Sequence, residues 1–216
     1  MKPETTLSIT LFSLMSLALA GGGQPQPVTL NINSSMGCHP YIGTVVFGVK
    51  PDPAASRRMA QLFTEDQDAR KTPNIDWKKV SFEDEKRRRE TLNLLRDGRL
   101  SAGVDYFYAA FVFQHGDCPE HYRLANLLAQ QAITRNYPAA RWIYAATYDR
   151  WQRSLGQPQK YGTQYTSVGD CNFKLEPYDP ATTDAERSRY GVPPIEEALR
   201  RADEINADCR ASRQNP

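Results

Sequence analysis

Residues Ala102 to Gln114 are apolar on nearly every side of a helix: Val104, Tyr106, Phe107, Ala109, Ala110, Phe111, Val112 and Phe113 leave no wide polar face for water. A helix of that kind must be covered all round. The stretch therefore predicts a central helix with the other elements packed about it. Pro119 opens a helix carrying Leu124, Leu127, Leu128, Ala132 and Ile133, and Pro138 opens another that runs through Leu155. Proline is at home in a first helical turn, and short connections make consecutive helices antiparallel neighbours.

The rest of the pattern points the same way. Met59, Leu62 and Phe63 stripe a first helix that begins at Pro53, runs to about Arg70 and is closed by Pro73. Ser81 with Asp84 predicts the start of a second helix, whose Leu92, Leu94 and Leu95 pack inward before Gly98 ends it. Thr183 with Glu186 marks a short capped helix, and Pro194 starts a last one through about Ala207. Strand signals are few: Val28 to Ile32, Tyr41 to Val49, and an irregular hairpin of Tyr165–Val168 and Asn172–Tyr178 about Gly169-Asp170. No repeat of fixed period is present. The expected fold is mainly α: a single helical domain (53–210) of antiparallel helix hairpins with a small β-hairpin after the fifth helix. An N-terminal extension with short strands (21–52) precedes it and a disordered tail (211–216) follows.

Lys2, the apolar run Leu7–Ala20 and the small-x-small ending Ala18-Leu19-Ala20 read as a signal peptide over residues 1–20. An exported chain, periplasmic or secreted, is the expectation. The run is short for a bilayer span and no second one follows, so no membrane association is expected after signal removal. Cys38, Cys118, Cys171 and Cys209 are even in number, and in an exported chain they imply two disulfides whose pairing the sequence leaves open. Cys118, at a helix start near His115 and His121, also has the setting of a reactive thiolate; the even count favours a disulfide. The basic run Lys86-Arg87-Arg88-Arg89 alternates with Glu83, Asp84, Glu85 and Glu90, and the net charge is only +2. That pattern reads as a solvated helix face laced with ion pairs and argues against nucleic-acid binding.

Five short motifs carry a resemblance. Asp66-Gln67-x-x-Arg70, Phe113-Gln114-His115-Gly116-Asp117, Tyr148-Asp149-Arg150, Gly156-x-Pro158-Gln159-x-Tyr161-Gly162-Thr163-Gln164, and Asp184-x-Glu186-Arg187 with Gly191-Val192-Pro193-Pro194-Ile195-Glu196-Glu197 occur in this order. Over about Met59 to Asn206 the chain resembles bacterial proteins of domain-of-unknown-function family 6624. The resemblance implies a helical fold with a shared polar site and supplies no reaction; a Gram-negative periplasm is the compartment it suggests. Cys118, directly after the histidine motif, departs from that pattern.

The stretch Gly156 to Tyr165 ends an aromatic helix with one proline and two glycines. Gly156 caps the helix, Pro158 stiffens the exit and Gly162 allows a turn, so it reads as a fixed polar loop. Two roles follow for its neighbours. In a binding or interaction protein, Gln67, Arg70, Gln114, Arg150, Gln159, Thr163 and Gln164 contact an unidentified protein, peptide or small molecule. In a small hydrolase-like enzyme, His115 is the general base, Asp149 orients it, and Tyr161 or Gln164 stabilises developing charge. Tyr144, Tyr148 and Trp151 recur at helical spacing and read first as core. The histidines lack metal-ligand spacing, and neither a metal nor a cofactor is expected.

Overall fold

A computed structural model describes residues 26–214 apart from 36, 72 and 73. The signal peptide expected over residues 1–20 lies outside the described residues. Among them the chain runs β1 (Val28–Ile32), β2 (Gly43–Phe47), α1 (Pro53–Asp68), α2 (Trp77–Arg96), α3 (Gly103–Gln114), α4 (Pro119–Thr134), α5 (Ala140–Ser154), β3 (Tyr165–Ser167), β4 (Phe173–Leu175), α6 (Asp184–Arg189) and α7 (Ile195–Gln214). The fold is mainly α with two small antiparallel strand pairs, β1–β2 and β3–β4. No helix of the described residues is long and apolar enough to cross a membrane.

Helix α3 occupies the centre as its composition requires. Tyr106, Ala109, Ala110, Val112 and Phe113 are buried, and a fully buried phenylalanine such as Phe113 contributes about 2–3 kcal/mol of hydrophobic stabilisation. Asp105 makes the helix start: its Oδ2 accepts from the backbone of Ser101 and Ala102 at 3.2 and 3.0 Å and from the Ser56 hydroxyl at 3.1 Å. Helices α1, α2, α4 and α5 enclose α3. The expected N-terminal extension is part of this core, because Ile32, Ile42, Val45 and Phe47 are buried in the same cluster as Met59, Leu95 and Leu124.

The strands β2, β3 and β4 are shorter than the sequence suggests, and the helix boundaries differ most at three places. Helix α2 begins at Trp77, with Asp76 accepting from the Lys79 amide at 3.1 Å, ahead of the expected start at Ser81. Helix α5 begins at Ala140 and not Pro138. Helix α7 continues to Gln214, so residues 211–214 are helical where a disordered tail was expected.

The cysteines pair as Cys38–Cys118 and Cys171–Cys209. The first ties the segment between β1 and β2 to the start of α4, and the second ties the turn before β4 to α7. Both fit an oxidising compartment, and the first excludes a free thiolate at Cys118.

Candidate functional site

Asp149 decides the form of the loop after α5. Its carboxylate is buried and accepts four hydrogen bonds from that loop: from the amides of Lys160, Tyr161 and Thr163 at 2.7, 2.8 and 3.0 Å, and from the Thr163 hydroxyl at 2.8 Å. Burial pushes the Asp149 carboxyl above its ordinary range, and the four donors oppose that shift. Gln159, fully buried, braces the same loop. Its amide nitrogen donates to the carbonyls of Gln164 and Glu176 at 3.0 and 2.9 Å, and its oxygen accepts from the Gln164 amide at 2.8 Å. Gln164 in turn donates to the Ala146 carbonyl at 3.2 Å and accepts from Arg150 Nε at 3.1 Å. From the other side the buried guanidinium of Arg187 donates to the Tyr161 carbonyl.

These contacts correct the catalytic arrangement expected from the sequence. Asp149 serves the loop backbone and makes no contact with His115. The Tyr161 phenol packs among Tyr148 and Tyr190, with ring centroids 5.9 and 4.9 Å away, and burial pushes its pKa up. His115 instead pairs with Asp66: its Nδ1 lies 3.0 Å from each carboxylate oxygen. Asp66 is fully buried on α1 and also accepts from Gln67 Nε2 at 2.8 Å and Arg70 Nη1 at 3.2 Å. Burial raises its pKa, but His115, Arg70 and Gln67 outweigh that effect and hold the carboxyl below its ordinary range. An ionised Asp66 makes Nδ1 a protonated ring nitrogen and leaves Nε2 on the side of the ring away from the carboxylate.

The basic run on α2 is also corrected. Lys86 and Arg89 are solvated, paired with Glu83 and Glu85, whereas Asp84, Arg87 and Arg88 are buried. Arg70 Nη2 and Arg87 Nη2 both donate to Asp84 at 2.5 Å. Arg88 donates to the His115 carbonyl at 2.8 Å and to Asp117 at 3.0 Å. Asp117 thus belongs to Arg88 and to His121, whose Nδ1 is 3.1 Å away, and does not orient His115. The missed residues Asp84, Arg87 and Arg88 share a helix face with Thr91 and Leu95; that spacing was the available signal. Arg150 joins the two halves of the network, because its Nη1 donates to the Gln114 carbonyl at 2.9 Å while its Nε holds Gln164.

Of the expected ligand-binding residues, Gln159 and Gln164 are consumed inside the loop, Gln67 and Arg70 serve Asp66, and Gln114 and Arg150 meet at the end of α3. Thr163 borders a cleft of about 420 Å³ between the loop, α5 and α7. Trp142, Tyr165, Val192 and Pro193 supply its apolar wall, and Arg200 and Glu197 stand at its edge. Among the described residues neither of these two charges has an ion-pair partner, whereas Arg201 is paired with Glu204 at 2.8 Å. Cys38, Cys118 and His121 place possible ligand atoms within 4.8 Å of one another, but the two sulfurs are bonded to each other and so offer no thiolate to a metal.

No family model matches the chain, and neither a curated protein nor a solved structure matches it.

Proposed function

We propose that this is an exported binding protein, and that the cleft beside the fixed loop receives a peptide segment. The observation that carries the reading is the way the loop is held. Asp149, Gln159 and Arg187 grip it from beneath, so Gly162 and Thr163 form one wall of the cleft without help from a ligand. A preformed wall spares the ordering cost that binding otherwise incurs. The volume is in the range of ligand sites, Trp142 remains exposed at its edge, and the charges of Arg200 and Glu197 suit a chain carrying both signs. Export is supported by the apolar run at residues 7–20 and by the two disulfides. The resemblance to the uncharacterised bacterial family is compatible with a periplasmic setting and adds no ligand.

The test is a titration of the isotope-labelled protein with a panel of short soluble peptides, followed through the Trp142 indole signal. Saturable shifts confined to Trp142, Thr163, Tyr165 and α7 are expected, with Trp142→Ala weakening binding by about tenfold through loss of an aromatic contact at the rim. A panel that leaves these signals unmoved counts against the reading.

A second reading has one specific observation in its favour, the pairing of His115 with Asp66. In an enzyme, Asp66 would take the orienting role expected of Asp149, and Nε2 would accept the proton of a bound water.

A further inference from the structure

A second cleft, of about 490 Å³, lies among α4, α5 and α6. Arg141 and Tyr144 are three residues apart and so share a face of α5, whereas Trp142, between them in the chain, lines the cleft beside the fixed loop. Ile133 comes from the end of α4, and Arg189 and Tyr190 from the last turn of α6 and its cap. The Tyr144 and Tyr190 rings are stacked, with centroids 5.2 Å apart and planes inclined by 15°. Together with Ile133 they give the cleft an apolar wall. That wall is braced from behind: Tyr190 also packs against Tyr161 at 4.9 Å, and the buried Arg187 of α6 donates to the Tyr161 carbonyl.

The charge on this cleft is one-sided. Arg141 and Arg189 line it and no aspartate or glutamate does, and neither arginine has a carboxylate partner among the described residues. The carboxylates of the three bordering helices are all engaged elsewhere. Glu120 of α4 accepts from the Ser35 amide at 2.9 Å, and Asp149 of α5 holds the loop. On α6, Asp184 accepts from the Ile195 amide at 3.0 Å and Glu186 pairs with Lys160 at 2.7 Å. The counter-charge for Arg141 and Arg189 must therefore come from outside these helices.

We infer that this cleft binds a small organic anion, a carboxylate or phosphate carried on an apolar body, with Arg141 and Arg189 supplying the positive charge and Tyr144, Tyr190 and Ile133 covering the body. A guanidinium stays charged at any working pH, and its hydrogen bonds to such oxygens are about twice as strong as neutral ones. The volume is in the range of small-molecule sites. A bare inorganic anion would leave the apolar wall uncovered, and an uncharged apolar molecule would leave the guanidiniums without a counter-charge. Recognition thus needs both parts on one ligand. The site is separate from the cleft between the loop and α7, and neither depends on the other for its ligand.

The experiment uses the folded chain with both disulfides intact. Benzoate and phenyl phosphate are the probes, and acetate, inorganic phosphate and benzyl alcohol are the partial ligands, all at ionic strength matched with sodium chloride. The Tyr144 and Tyr190 ring signals are followed by NMR. At least one probe is expected to shift these signals saturably and to bind tighter than each of the partial ligands by about tenfold. Preference between the probes identifies the oxygen group. Arg141→Gln and Arg189→Gln, both at exposed positions, should each weaken that probe by about tenfold. Arg89→Gln, which removes the same charge from the solvated face of α2, should leave it unchanged. If an arginine variant fails to fold, the comparison of benzoate with benzyl alcohol on the wild type still decides. Benzyl alcohol binding as tightly as benzoate, equal binding by all three variants, or shifts at the Trp142 and Tyr165 rings with Tyr144 and Tyr190 unmoved overturns the assignment, as does a response to both probes that never saturates.

Discussion

At the scale of single residues, identical side-chain types have opposite fates according to what surrounds them. Asp66 and Asp149 are both buried carboxylates, yet the histidine and arginine beside Asp66 outweigh burial and lower its pKa, whereas the backbone amides around Asp149 oppose burial without overcoming it and its pKa is raised. His121 shows the consequence for pH. It is fully buried, and burial first, with Arg88 second, pushes its pKa below the ordinary 6.5. The unfolded chain therefore takes up this proton before the folded one does, so the stability contributed by neutral His121 is present above pH 6.5 and is lost as pH falls toward its folded pKa. Melting temperatures measured between about pH 5 and 8 should show this loss in the wild type, and a shallower decline in His121→Gln despite a lower absolute value. Parallel curves for the two proteins would show that His121 does not carry the effect. The partners of Asp66 and Asp149 were not legible in the sequence. His115 is near Asp117 and, two helices on, Asp149 in the chain, but Asp66 approaches it from α1 across the packed bundle, a long-range contact that no local pattern encodes.

The elements were far more legible than their contents. The apolar face of α3, the prolines opening α1 and α4 and the Thr183 cap of α6 each specify structure locally, and each element stands where the sequence suggests. The start of α2 was not legible, because Trp77 and Phe82 are exposed and its first turn carries little apolar periodicity. The loop after α5 was legible as a fixed element through its glycines, and Gly162 is where that reading can be tested. It has φ +77°, and a Cβ there would lie 2.9 Å from Arg187 Nη1 and 3.2 Å from Ile195 Cδ1. Gly162→Ala combines left-handed strain with displacement of Arg187 from the Tyr161 carbonyl, and should destabilise the protein by about 1–3 kcal/mol. Denaturant unfolding measures this directly. A neutral substitution would mean that the loop yields without cost.

Across the whole molecule, the two disulfides join the β segments to two different helices, α4 at its start and α7. Cys38–Cys118 spans 80 residues and Cys171–Cys209 spans 38, so in the chain-entropy account each removes about 4 kcal/mol of unfolded-state freedom. The cysteine count implied two bridges, but the pairing is a property of the folded path and only the structure chooses it. The same holds for the central claim, that one buried carboxylate fixes a loop in readiness for a ligand. Native-state hydrogen exchange of the Lys160, Tyr161 and Thr163 amides tests it most directly. If Asp149 holds the loop as the 2.7–3.0 Å contacts indicate, these amides exchange only through openings that cost several kcal/mol, comparable with α3. Exchange at the rate of an unstructured chain, with α3 still protected, would contradict a preformed loop.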